Sequence, residues 1–493
     1  MKPLALCPLL ALAALAANAA PFEIAFDGKP LTAVEARISA VPFNRVWPGH
    51  QRDIGQTRLS HFVSFDVPAG GGELTVIVAD GGGTARIRPF SRAQPVGGDG
   101  RWTVRVERPE QFVLEFGSRE LHVFADPPWT YAPVPDEIYF GPGEHAPGAI
   151  IPKSGQTVTL DRGAVVYGNL VLPDVTNVTV RGRGILCGSR QRRVDRDYSG
   201  SRELLRRGWT GNWQWGTTPV FARRCRGLRL DGIVFRDAPR WTMNLMDCDG
   251  VDIHNVKIVG MWRYNSDGID VCGCRDVTIR DSFVRSFDDC VVARPPCRRL
   301  RVENCVLWCD WNWNIKVQHS ELASVMEDIS FRDIKAVNID HALAGVTTRW
   351  GSANSVIRDV RFADIEADVP PDRVRGQYQR GDAATFAPRP PKDLLLLLVN
   401  AYSLGKPAPN QGKPGPMDES VFRLRYDDIR AERFRVYDAP GRTVDELPYP
   451  ITAEIVSVVP GHEIRNVSFA DFPKGLQIRQ RQEKGRISGV ERR

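Results

Sequence analysis

Beyond its first twenty residues the 493-residue chain has no segment able to cross a bilayer; the apolar run Leu394 to Val399 is six residues, the length of a buried strand. It also lacks a strong charge bias. Basic residues number 66 against 59 acidic, a net charge of +7, and no motif concentrates basic with aromatic residues, so nothing in the chain reads as a nucleic-acid binder. No C-x-x-C pair is joined to a second at zinc spacing. Glycine (44) and proline (36) are too few and too aperiodic for a collagen. Charged residues at 25% and hydrophobic ones at 42% exclude a largely disordered chain. The length exceeds one ordinary core, which leaves two or three domains or a repetitive architecture.

Residues 1–19 read as a secretory signal peptide: Lys2, an apolar run from Leu4 to Ala17, and the cleavage pattern Ala17-Asn18-Ala19. Cleavage after Ala19 removes Cys7, and the expected product is exported, periplasmic or extracellular. Nine cysteines remain, all between Cys187 and Cys309. Export permits disulfides, and an odd number leaves at least one thiol free.

Residues 20–135 alternate in short runs such as Leu59 to Val67, Leu74 to Val78, Trp102 to Val106, Phe112 to Phe116 and Leu121 to Phe124, broken by Gly70-Gly71-Gly72 and Gly81-Gly82-Gly83. That spacing predicts a small β-sandwich, with a proline-rich linker from Pro127 to Pro135. From residue 136 a phrase repeats. Cys225-Arg226-Gly227-Leu228-Arg229-Leu230 returns at Cys248, Cys274 and Cys297, and related phrases without the cysteine start near Val178, Ile329, Val356 and Ile464. The steps between the cysteines, in the low twenties, with aliphatic residues at alternate positions, fit one coil of a solenoid. The Leu-x-x-Leu-x-Leu phrase of leucine-rich repeats is absent. The reading is all-β: a right-handed parallel β-helix over 136–478, interrupted by a Pro-, Gly- and Arg-rich insertion at about 370–420 and followed by a poorly ordered charged tail, 479–493. The four cysteines fill one inward column. The sandwich is expected to cap an open end of the tube, where strand edges would be exposed.

Acidic residues fall at matching places on neighbouring coils. Asp267 lies seven residues before Cys274, and Asp288 and Asp289 lie nine and eight before Cys297. Stacking brings the three carboxylates together, and their repulsion raises the pKa of at least one. A protonated acid beside an ionised base is what glycosidic hydrolysis needs. Asp and Asn also serve as turn residues in such coils. Trp241, Trp262, Trp311 and Trp313 flank the phrases; each is either a sugar platform or core.

The stretch Pro239-Arg240-Trp241, Cys248, Asn265-Ser266-Asp267-Gly268-Ile269-Asp270 and Asp288-Asp289-Cys290-Val291-Val292-Ala293 resembles glycoside hydrolase family 28, the polygalacturonases and their relatives. The resemblance implies an inverting hydrolase without metal or other cofactor, with Asp288 as general acid and Asp267 and Asp289 holding the attacking water. It also implies a Cys290–Cys305 disulfide. Substrate contacts are assigned to Asn265, Asp270, Trp311, Trp313, Lys316, Arg294 and Arg349. The family's Gly-His-Gly is replaced by Cys309-Asp310-Trp311-Asn312-Trp313-Asn314-Ile315-Lys316. Its Arg-x-Lys falls at Thr347-Thr348-Arg349, which leaves Lys316 and Arg294 as candidate substitutes. A sandwich ahead of a β-helix also resembles glycoside hydrolase family 49, the dextranases and isopullulanases, which implies a neutral α-glucan. The expected partner is a polysaccharide or oligosaccharide, met by a monomer with no membrane or nucleic-acid partner. A calcium-dependent polysaccharide lyase and a non-catalytic glycan-binding solenoid are the competing classes.

Overall fold

The computed structural model describes residues 21–40, 54–81, 83–191, 218–263, 265–320, 325–349, 355–372, 392–401, 424–458 and 460–493. The proposed signal peptide and most of the insertion lie outside them. Two five-stranded sheets form first. One orders Lys29–Leu31, Phe22–Phe26, Gly72–Val78, Arg101–Val106 and Val96–Gly98; the other orders Val34–Ser39, Thr57–Asp66, Arg119–Asp126, Glu110–Phe116 and Ala85–Arg88. Phe65, Leu74, Val76, Phe112, Leu114, Leu121 and Val123 pack between them.

From Ile138–Phe140 to Arg486–Arg492, 28 strands wind into one parallel β-helix. In the described coils, stacked residues of positive φ mark two of the corners. One column runs Gly227, Gly250, Asp276, Arg299, Asp328, Asp359, Asp428 and Asn466; the other runs Gly232, Asn255, Asp281, Asn304, Asp333 and Asp364. Gly, Asn and Asp tolerate this left-handed turn better than other residues, so the coil rhythm is written in their recurrence. Inside the tube, strand register stacks Cys225, Cys248, Cys274 and Cys297 in a single buried column that Met326, Ile357 and Tyr426 continue. All nine described cysteines are free, as small hydrophobes in a core should be.

The cysteine pairing differs from expectation. Cys290 lies in the turn before strand Val291–Arg294, where its sulfur accepts from the Ser286 hydroxyl at 3.1 Å. Cys305 lies within Arg298–Cys309, on another wall, bonded to the Glu303 carbonyl. The thiol beside Cys290 is that of Cys309, so the Cys290–Cys305 bridge is not formed.

The sandwich does not cap the tube; it lies along its flank. Strand Arg119–Asp126 explains why. Its odd residues Leu121, Val123 and Ala125 enter the sandwich core, while Glu120, His122, Phe124 and Asp126 face the tube. Phe62, Val113 and Phe124 pack there against Val234, Val259, Phe283, Val306 and Trp308. Charge is buried with them. Lys257, from the tube and fully enclosed, pairs with Asp126, which also accepts from Asn255 at 3.0 Å. Burial lowers the Lys257 amine to about 8. Arg88 of the sandwich pairs with Asp368 at 2.8 Å.

Nearer the C-terminus one sequence expectation is met and one is corrected. Leu394–Ala401 is the buried strand that its length suggested, seated in the tube between Ala342–Arg349 and Ile451–Ser457. The charged tail is not unstructured: Arg486–Arg492 pairs in parallel with His462–Ala470. Ile487 and Val490 reach the core cluster, and the charged residues flanking them, Arg486, Glu491 and Arg492, protect an edge strand.

Candidate active site

Turns 265–268, 287–290 and 311–314 stack at one corner of successive coils. The Gly268 amide donates to the Asp289 carbonyl at 2.8 Å, and the Cys290 amide to the Trp313 carbonyl at 2.9 Å. Asp267 and Asp289 therefore occupy neighbouring rungs, and Asp288 stands one residue before the second. One oxygen from each of Asp267, Asp288 and Asp289 lies within 4.8 Å of the others. Gly268 permits this approach: a methyl group there would stand 2.3 Å from the Cys290 carbonyl oxygen. Gly268→Ala is expected to cost about 1–3 kcal/mol, read as a lowered denaturation midpoint.

All three carboxylates are buried, with 2 to 4% of their surface exposed. Asp288 accepts from Asn312 at 2.8 Å, from the Asp289 amide at 2.9 Å and from Asn265 at 3.3 Å. Burial and the neighbouring Asp289 nevertheless push its carboxyl up to about 6. Asp267 is raised well above the usual carboxylate range, first by burial and then by Asp288, and its Oδ1 has no hydrogen-bond partner among the described residues. Asp289 is held by the Trp313 amide at 3.2 Å and the Lys316 ammonium at 3.0 Å. The three cannot all be ionised near neutrality, so protons are shared among them.

Six of the seven residues assigned to substrate contact gather here. Asn265, Trp311 and Arg294 are half-buried around the aspartates. Asp270, Lys316 and Trp313 are buried and support the aspartates from within. Arg294 donates to Asp270 at 2.9 Å, approaches Asp267 to 3.9 Å and rests over the Trp241 ring at 4.6 Å. Burial holds Asp270 at about 7 despite that partner. Trp313 is 5% exposed; its ring covers Gly345, where a methyl group would meet it at 2.1 Å. Trp311 stacks on Phe287 with ring centroids 5.5 Å apart. Arg349 ends strand Ala342–Arg349, and its side chain is outside the described residues.

Asn312 was not singled out by the sequence as a functional residue. Its φ of 119° is unusual for a residue with a side chain, and it donates the shortest hydrogen bond to Asp288. The only hint was its place in the phrase that replaces Gly-His-Gly. Among the described residues, the three aspartates are also the one grouping of acidic, histidine or cysteine side chains spaced to hold a cation. The protein supplies positive charge of its own there, as Lys316 and Arg294.

Residues 170–368 match the family described as Glycosyl hydrolases family 28. This stretch is about two fifths of the chain and contains every assigned site residue. Polygalacturonase QRT2 of Arabidopsis thaliana is 26% identical over 155 residues, 30% of this chain and 34% of that protein. Rhamnogalacturonase A of Aspergillus niger is 28% identical over 102 residues, 21% of this chain and 22% of that protein. The chain thus spans about a fifth to a third of the length of these curated relatives. Among solved structures, Dex49A from Penicillium minioluteum aligns with 92% of this chain and 88% of its own at a TM-score of 0.57 and 12% identity. That likeness is one of fold. Both resemblances read from the sequence therefore hold, family 28 in the coils bearing the aspartates and the dextranase-like layout in the whole. No helix among the described residues is long and apolar enough to cross a membrane.

Proposed function

We propose that the protein is a secreted glycoside hydrolase that cleaves α-linked bonds of a polysaccharide with inversion at the anomeric carbon. The observation that carries the reading is the meeting of three buried carboxylates on consecutive coils, within 4.8 Å. In the proposed step Asp288 gives its proton to the departing glycosidic oxygen. Asp267, through its unpartnered Oδ1, takes a proton from a water that Asp289 helps to hold, and that water's oxygen bonds to the anomeric carbon. Without substrate the carboxylates share protons. A water donating to Asp267 Oδ1 favours the ionised form there, and a glycosidic oxygen accepting from Asp288 favours the protonated one. Binding therefore moves the proton to where it is used.

Carboxylates this close are nearer the spacing of about 5–5.5 Å usual for retaining enzymes than the 6.5–9.5 Å of inverting ones. Two observations favour inversion all the same. Asp289 is fixed by Lys316 and the Trp313 amide and is ill placed to swing onto carbon, and a third carboxylate gives the water a second acceptor.

Charge favours a neutral sugar at the cleavage point over galacturonate. Arg294 and Lys316, the cations among the described residues that face the aspartates, already pair with Asp270 and Asp289, which leaves neither free for a galacturonate carboxylate. The deciding experiment incubates the enzyme with uronic-acid and neutral α-glycans and follows released reducing ends, with proton NMR of the first anomer formed. Expected are release from a neutral α-glycan, the β-anomer first, and no effect of a chelator. An α-anomer would overturn inversion. Unsaturated ends that vanish with chelator would make the protein a lyase.

A further inference from the structure

We infer that Glu120 and His122, residues of the N-terminal sandwich, are positioning residues for the catalytic carboxylates, acting through Arg285 and Asp310. The inference rests on the hydrolytic reading above and adds the sandwich to its machinery.

Arg285 is wholly enclosed between sandwich and tube. One guanidinium nitrogen donates to Glu120 and stands 3.1 Å from His122 Nε2; the other donates to Asp310 Oδ1 at 3.3 Å. The Trp308 ring lies 4.1 Å beneath the guanidinium carbon, and its indole N–H donates to the same Asp310 oxygen at 2.9 Å. His122 Nδ1 faces the His61 carbonyl at 3.0 Å. A proton there leaves Nε2 free to accept from Arg285.

Arg285 immediately precedes the turn that carries Asp288 and Asp289, and Asp310 opens the turn that carries Asn312. The two turns are cross-bonded: the Asp310 amide donates to the Ser286 carbonyl at 3.0 Å, and the Cys309 thiol to the Asp288 carbonyl at 3.3 Å. Trp311 stacks on Phe287. At the far end Asn312, in its unfavourable backbone conformation, donates to Asp288. A strained residue persists only where its surroundings over-determine it. The clamp that Glu120 and His122 place on the Arg285–Asp310 pair is the part of those surroundings that the tube alone lacks. Glu120 is clamped in turn by Arg58. A sandwich that merely shielded apolar surface would need no chain of buried, directional bonds running to the general acid.

The test compares Glu120→Gln with Asp368→Asn, which weakens the Arg88–Asp368 pair elsewhere in the same interface. Glu120→Gln is expected to lower kcat 10- to 100-fold with KM within twofold. It should also move the basic limb of the kcat–pH profile upward, because a loosened Asn312 bond no longer favours ionised Asp288. Asp368→Asn is expected to lower the melting temperature while leaving kcat and the profile as they were. Wild-type kcat and profile in a folded Glu120→Gln enzyme, or an equal loss in both variants, would overturn the inference. Should Glu120→Gln fail to fold, Glu120→Asp, which keeps the charge and shortens the reach, replaces it with the same criteria. If the parent protein releases nothing from any glycan, the hydrolytic reading fails by itself. The relay is then judged by the carboxyl ¹³C resonances of the aspartates, which must shift in Glu120→Gln and stay fixed in Asp368→Asn.

Discussion

Replacing Asp288 by Asn is expected to lower kcat by about 10²–10⁴-fold while leaving glycan binding largely intact. Asn keeps an oxygen for the Asn312 and Asp289 donors, and Asn265 can turn its own amide oxygen toward the new NH₂. Geometry is preserved and the transferable proton is lost. Because the carboxylates share protons before substrate arrives, the role must be separated by chemistry. An aryl α-glycoside whose leaving group needs no protonation should restore turnover to Asp288→Asn and not to Asp267→Asn. Restoration in the reverse pattern would make Asp267 the acid.

The same substitution should stabilise the fold. The native carboxyl titrates at about 6, above the ordinary aspartate value of about 3.9. Between those values the native state holds a proton that the unfolded chain has lost, so stability falls as pH rises through this window. Asp288→Asn removes that loss and should gain on the order of 1–3 kcal/mol at pH 7 but little at pH 3.5. Denaturant melts of both proteins at the two pH values provide the check.

The second large effect is structural. Asp126→Ala leaves Lys257 enclosed without its carboxylate and Asn255 without its acceptor. Breaking a buried pair from one side costs about 3–5 kcal/mol. The double variant Asp126→Leu/Lys257→Met should recover most of this, since an apolar pair asks for no desolvated charge. Thermal and denaturant unfolding of the single and double variants decides the point; equal losses in both would show that packing around Phe124 and Phe283, not the charges, holds the sandwich in place.

The coils were legible because they obey a short-range rule: a cysteine, a left-handed residue and alternating aliphatics recur at nearly constant steps, and stacking follows. The meeting of Asp267 with Asp288 and Asp289 could be read from the same register. The sandwich's seat could not. Glu120, His122 and Asp126 alternate with Leu121, Val123 and Ala125, which in a lone sheet is the signature of a solvent face. Only the tube's Arg285, Asn255 and Lys257, more than a hundred residues away, turn that face into an interface. Lys316 and Arg294 were assigned to the substrate for the same reason, since their partners Asp289 and Asp270 come from neighbouring coils. The cysteine pairing failed because spacing along the chain says nothing about which wall a side chain enters.

The two columns of left-handed residues fix the backbone at two corners of every coil, whereas the third corner carries the aspartates and the tryptophans. A lineage built this way can lengthen, shorten or reshape that third corner coil by coil while the other two keep the stack in phase. Changes of sugar preference should accumulate there, one rung at a time, without a toll on the remainder of the tube.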